Sequence, residues 1–271
     1  MSNGSSGLAI AGLVIGIVIA TQVGDFEPVD IDAPDVDSGL DEDVDSGADD
    51  DEWDDDADGT PQDVPTEING GIPGEVMAGA VVSVSGDADV VALTFSSGPD
   101  PAYTPQILDI LDGHGVPATF CVYGDQAQDV PELIRRIADE GHALCNQGLA
   151  RDSQFVDDAE IRAEIEGGRE AIQAAAPGVA VPFFRDPGGQ FGPDVNRLAE
   201  AHGHTPLGWS VDPRDWEEPG AAAIVDSVLG EIRPGDIVVL HDGGGDRSDI
   251  VAALDTLIIE LRDRGYEIVV P

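Results

Sequence analysis

Beyond about residue 81 the sequence repeats one arrangement: a short apolar run, then a longer amphipathic pattern. The runs are VVALTF (90–95), ATFCVYG (118–124), HALCN (142–146), VPFFR (181–185), PLGWSV (206–211), DIVVLH (236–241) and YEIVVP (266–271). Short, near-continuous apolar runs suit strands covered on both faces, the situation in a parallel sheet. The patterns between them carry helix start and stop signals. Thr104 before Pro105 reads as an N-cap with Pro at the first helical position, VPELIRRIADEG ends on a Gly, and SDIVAALDTLIIELRDRG opens on Ser248 and closes on Gly265. In DDAEIRAEIEGGREAIQAA, Ile161, Ile165 and Ile172 form one stripe while the charges face water. Strands alternating with helices imply parallel pairing through right-handed crossovers. Over about 190 residues, that leaves a doubly wound sheet or a barrel.

The residues ahead of this region follow other rules. GLAIAGLVIGIVIA, from Gly7 to Ala20, has the length of a signal-peptide core, and with its uncharged flanks it reaches that of an anchor. We therefore expect a signal peptide or N-terminal membrane anchor over 1–24, with the remainder extracellular or at the cell envelope. From Asp25 to Glu67 there are 20 acidic residues and no basic one. Like charges in a block with few large apolar residues cannot bury a core, so 25–80 is expected to be a disordered linker and 81–271 the folded domain.

Asp and Glu number 55 against 12 basic residues, all Arg, for a net charge of −43. Such a chain repels nucleic acid and anionic membrane surfaces, so contact with a membrane is expected only through the N-terminal segment. Without the acidic stretch the balance is still about −23. The folded part is therefore acidic too, as suits a halophilic surface whose self-repulsion salt screens. The two cysteines, Cys121 and Cys145, end strands that could be neighbours; a disulfide and two buried thiols are both open.

In parallel α/β folds, chemistry gathers at the C-terminal strand ends. Read in order, those ends supply Ser96 and Ser97, the segment Cys121 to Asp125, Asn146 and Gln147, Arg185-Asp186-Pro187, Asp212 with Asp215, and His241-Asp242. All but the Cys121 segment deliver polar or ionisable groups to one mouth.

Five motifs in order then resemble the NodB-homology polysaccharide deacetylases (carbohydrate esterase family 4) over roughly residues 88–271. Where that family reads TFDDGP, N-H-x-x-x-H, R-x-P-x-G, an Asp-containing segment before a Trp, and L-H-D, this chain reads TFSSGP, NQGLAR, RDPGG, VDPRDW and VLHD. The resemblance implies a distorted (β/α)7 barrel, TIM-like in plan. It also implies a hydrolase of non-peptide C–N bonds that removes N-acetyl groups from chitin- or peptidoglycan-type polysaccharide. In such enzymes one carboxylate and two imidazoles hold a divalent metal such as zinc, which polarises the acetamide carbonyl and acidifies water. A second carboxylate is general base, and the His of L-H-D protonates the leaving amine.

By that correspondence Ser96 stands at the general-base position, while Ser97, Gln147 and Arg151 stand at the metal-ligand positions. His241, Asp212 and Arg185 keep family catalytic positions; Pro187, Asp215, Trp216, Leu240, Asp242 and Arg151 are expected to face substrate. Hydroxyl and amide groups are poor zinc ligands, and a fixed positive charge opposes a cation, so no cofactor is expected for this chain. The implied protein is a pseudo-enzyme with a glycan-binding cleft; the alternatives are an active hydrolase and an envelope protein with a vestigial cleft. A replacement mechanism would make Ser96 or Ser97 the nucleophile and His241 its base, but no G-x-S-x-G elbow surrounds them. Arg151 is expected to pair with Asp212 or Asp242 as an internal cation. His114, His202 and His204 read as capping or surface groups, and Trp209 and Trp216 either stack on a sugar ring or belong to the core.

Overall fold

A computed structural model describes residues 79–84, 89–153, 157–189 and 191–271. The expected signal or anchor segment and nearly all of the expected linker lie outside them. The described region contains seven strands: β1 (Val90–Gly98), β2 (Thr119–Val122), β3 (Ala143–Asn146), β4 (Phe183–Phe184), β5 (Thr205–Pro206), β6 (Ile237–His241) and β7 (Glu267–Ile268). All strand pairs are parallel, in the order β5-β4-β3-β2-β1-β6, with β7 beside the start of β1. Beyond β5 the wall continues through single bridges, Val81 to Leu207 and Val211 to Val238. The sheet is thus a curled, incompletely closed barrel, as the alternating pattern and the motifs anticipate.

Seven helices cover it: α1 (Thr104–His114), α2 (Gly124–Asp129), α3 (Pro131–Asp139), α4 (Asp158–Ala175), α5 (Pro193–Ala201), α6 (Ala221–Glu231) and α7 (Ser248–Asp263). The two-residue period of a strand divides the side chains between layers. On β1, Val91, Leu93 and Phe95 pack outward with Ile107 and Leu111 of α1 and Leu254, Leu257 and Leu261 of α7. Ala92 packs inward with Cys121, Cys145, Leu207 and Ile237. Thr94 and Ser96 follow Ala92 on the same parity, so a ladder of small side chains climbs the interior to the mouth. The α4 stripe holds: Ile161, Ile165 and Ile172 are all buried.

Cys121 and Cys145 are register partners on β2 and β3 and are joined in a disulfide, which settles the open choice between bridge and thiols. The N-cap expected at Thr104 is corrected. Tyr103 occupies the cap with no side-chain bond, and Thr104 lies inside the first turn, fully buried. Its hydroxyl accepts from the Asp100 N–H at 2.8 Å and donates to Asp242 at 2.7 Å. A tertiary partner has taken the group that local sequence assigns to the helix end. Among the described residues, no helix is long and apolar enough to cross a membrane.

Candidate active site

The end of β1 builds the floor of the mouth. The β1–β2 register shifts between Ser96 and Gly98, so Ser97 is an extra, bulged residue with φ 70°. Bulges at barrel rims re-aim side chains, and this one turns Ser97 out of the inward row that Ser96 continues. The turn is clamped from below by Asp242, whose N–H donates to the Ser96 carbonyl at 3.1 Å. The Asp242 carboxyl lies so close beneath Gly98 that a Cβ there would sit 2.1 Å from its oxygen. Complete burial pushes the Asp242 carboxyl up to about 7, with the Thr104 hydroxyl acting in the opposite direction.

Arg185, from the end of β4, crosses the interior of the barrel. Nε donates to the Leu207 carbonyl at 3.0 Å, Nη2 to the Gly208 carbonyl at 3.1 Å, and Nη1 to Thr94 at 2.9 Å and Ser96 at 3.0 Å. Its guanidinium lies 5.3 Å from the Trp209 ring centre. Only 1% exposed, it is pushed down to about 9 by burial, while Asp212 acts the other way; at neutral pH it remains a cation. The Ser96 hydroxyl is therefore held, 2% exposed, by the side chain that reaches the base position.

The opposite wall carries an acid pair. The Asp215 carboxylate accepts from the His241 Nδ1–H and from the His241 backbone N–H, both at 2.8 Å. The bond fixes the tautomer, leaving Nε2 as the ring's other nitrogen. Asp215 sits on a 3₁₀ turn (Asp215–Glu217) just beyond Asp212. Asp212 instead accepts from the Arg214 N–H at 2.8 Å, and partial burial raises its carboxyl while that N–H lowers it.

The loop after β3 supplies the remaining residues. Leu149 and Ala150 N–H groups both donate to Glu164 of α4, at 2.7 and 3.0 Å, which fixes the loop's path. Gln147, buried, accepts the Ser97 N–H at 2.8 Å. Arg151 donates through Nη2 to the Ser97 carbonyl at 2.5 Å and lies 5.4 Å from the centre of the Tyr123 ring. Burial pushes the Tyr123 hydroxyl up to about 12, with Arg151 opposing. Asn146 turns outward, bonding the Ile165 carbonyl of α4.

Several expectations change. Asp215, expected to face substrate, orients His241 instead. Asp215, Leu240 and Asp242 were expected at the substrate surface, but they are 2%, 0% and 0% exposed. Strand parity explains Leu240, which faces the helix layer because its neighbour His241 faces the mouth. Arg151 forms no ion pair with Asp212 or Asp242; its partners are a carbonyl and a ring. His204 is buried rather than a surface group, with Nδ1 at 2.9 Å from the Val181 carbonyl. His114 and His202 do meet surface acids, Asp255 and Glu166. Pro187 lies in a turn closed by the Gly188 N–H on the Asp186 carboxylate at 2.8 Å. Trp216 is half-buried, with the Arg214 guanidinium 5.2 Å from its ring centre. Thr94 and Gly98 lie within TFSSGP and Tyr123 within the Cys121 to Asp125 segment, but sequence assigned them no individual role; for Thr94 the signal is the strand parity it shares with Ser96.

The polysaccharide deacetylase family profile matches residues 83–207. A chitooligosaccharide deacetylase from Sinorhizobium fredii (strain NBRC 101917 / NGR234) is 41% identical over 190 residues, 66% of this chain and 88% of that one. The chain belongs to the polysaccharide deacetylase family. Among solved structures, the Bc1960 peptidoglycan N-acetylglucosamine deacetylase superposes with a TM-score of 0.67 at 34% identity, covering 70% of this chain and 89% of that one. A CE4 family pseudoenzyme from Bacillus anthracis does so with a TM-score of 0.65 at 28% identity, covering 70% and 66%; a mutant of that pseudoenzyme is described as having restored enzymatic activity.

Membership corrects the expectation of no cofactor, because a divalent metal is the group this family generally uses. The side chains that the motif resemblance sets at the ligand positions do not fit such an ion. Ser97 offers a hydroxyl, the Gln147 carbonyl oxygen already accepts the Ser97 N–H, and Arg151 brings a cation. Among the described residues there is no cluster of three His, Cys, Asp or Glu that could hold a metal.

Proposed function

We propose that this deacetylase-family chain is a catalytically impaired pseudo-enzyme of the cell envelope, exported or anchored by its N-terminal segment. It retains a cleft for N-acetylated, chitin- or peptidoglycan-like polysaccharide. The observation that carries the reading is at position 96: the Ser96 hydroxyl, in the grip of Arg185, stands where a carboxylate base would. A neutral hydroxyl held this way does not take a proton from water at neutral pH, and a general base contributes typically about 10²–10⁴-fold. The rest of the cleft supports retained binding, because the turn, Arg185 and the Asp215–His241 pair hold their geometry.

The same Asp215–His241 pair favours the second reading, an active amide hydrolase. An imidazole oriented by a buried carboxylate is suited to protonate a leaving amine. The two readings part in one experiment on the full chain: acetate release from chitooligosaccharide and peptidoglycan fragments, with divalent metal added, alongside calorimetric binding. The pseudo-enzyme reading expects binding without release. It also expects the Ser96→Asp, Ser97→Asp, Gln147→His, Arg151→His variant to gain acetate release. Release by the unaltered chain overturns it. Cell fractionation tests the envelope location, and unfolding at low and molar salt tests halophily, with equal stability counting against it.

A further inference from the structure

Arg151 and Arg185 share one mouth but spend their donors differently. A guanidinium has five N–H donors. Arg185 uses all three of its nitrogens on protein oxygens. Arg151 commits Nη2 to the Ser97 carbonyl, and its Nε and Nη1 meet no acceptor among the described residues. Arg151 is half-buried, with Nη1 beside Gly244.

Its placement is built rather than accidental. The Glu164 clamp sets the loop, the Tyr123 ring lies under the guanidinium, and Gly244 makes room beside it. A Cβ at Gly244 would sit 2.0 Å from Nη1. Of the surface arginines, Arg136, Arg162, Arg197 and Arg214 pair with a carboxylate, while Arg262 and Arg264 bond backbone carbonyls. Arg151 has no carboxylate within ion-pair distance among the described residues. The nearby acids serve their own loops: Asp125 accepts the Gln126 N–H at 2.6 Å, and Asp186 accepts the Gly188 N–H. A planar cation fixed by a ring and a carbonyl keeps N–H donors for a single charge-assisted contact with a carboxylate.

We infer that Arg151 is an oxyanion receiver, and that the cleft takes a glycan carrying a carboxylate, such as a uronic acid, on this guanidinium. The inference rests on the glycan-cleft reading and adds the charge of the sugar that the cleft selects. The chain's net charge of −43 opposes such a ligand at long range. At about 1 M salt the screening length falls to about 3 Å, so contact decides and distant charge does not.

The probes are a hyaluronan tetrasaccharide and its carboxyl-reduced counterpart, in which each glucuronate becomes glucose. Both are titrated into the full chain by calorimetry at about 1 M chloride. The unaltered chain is expected to prefer the acidic sugar by about tenfold, the scale of one charge-assisted contact. Arg151→Gln should remove that preference while keeping affinity for the reduced sugar; Arg151→Lys should keep part of it. Equal affinities in the unaltered chain, or an undiminished preference in Arg151→Gln, overturn the inference and leave the cleft reading standing. If neither sugar binds, the cleft reading fails and acetate decides on its own. Acetate should shift the Arg151 Nε–H resonance in the unaltered chain, and no shift overturns the receiver.

Discussion

The mouth of this barrel has two walls with opposite histories. On the β4–β6 side, Arg185, Asp215 and His241 match the family motifs, and each is held by buried partners. On the β1–β3 side, Ser96, Ser97, Gln147 and Arg151 depart from the motifs, yet the backbone beneath them is as well anchored. Gln147 holds the Ser97 N–H, Arg151 its carbonyl, and Asp242 braces the Ser96 carbonyl. The difference teaches that the departing wall is itself anchored: the Gln147 and Arg151 side chains both bond the Ser97 backbone, while Ser96 is held by Arg185 and Asp242.

If that comparison is right, the largest loss comes from the side chain that joins the walls. Arg185→Ala removes the partner of two carbonyls and two hydroxyls. Leaving buried acceptors unpaired should cost about 3–5 kcal/mol in denaturant unfolding; a loss under about 1 kcal/mol would mean the walls are independent. Asp242 comes next, through pH. Its carboxyl is raised from near 4 to about 7, so its unfolded form releases the proton first. Its contribution is fully present below about pH 4 and is lost as pH rises to about 7, at up to about 1.4 kcal/mol per pH unit. Unfolding curves for Asp242→Asn should be flatter across that interval, and parallel curves would show that the carboxyl does not brace the turn as an acid. Gly98→Ala forces a methyl against that carboxyl and should cost about 1–3 kcal/mol by thermal unfolding. The smallest effect should be Arg151→Ala, about 1 kcal/mol or less, since the side chain is half-buried with one protein acceptor. A loss matching that of Arg185→Ala would make Arg151 a strut rather than a receiver.

Much of the fold is legible because period and punctuation are local. All seven strands and the α4 stripe follow from runs of β-branched and aromatic residues, Gly stops and 3.6-residue spacing. Strand β4 retains only Phe183–Phe184 of VPFFR, and β5 (Thr205–Pro206) overlaps PLGWSV only at Pro206, because pairing at the open end of the curl thins to single bridges. Helices α2, α5 and α6 carried weaker signals and were not singled out.

The candidate site is half legible for a matching reason. Residue identity at each strand end fixed what the wall offers: hydroxyls at 96 and 97, an amide at 147, a guanidinium at 151, an imidazole at 241. Which groups meet was decided by tertiary structure. Strand parity buried Leu240 beside an inward His241, and the 3₁₀ turn brought Asp215 rather than Asp212 under that ring. The β1 bulge turned Ser97 so that its carbonyl, and no carboxylate, received Arg151. Sequence determines the kinds of donor and acceptor and their order along the chain. Curvature of the sheet, which depends on contacts between residues far apart in the chain, such as the Thr94 hydroxyl on the Val238 carbonyl 144 positions on, determines which of them touch.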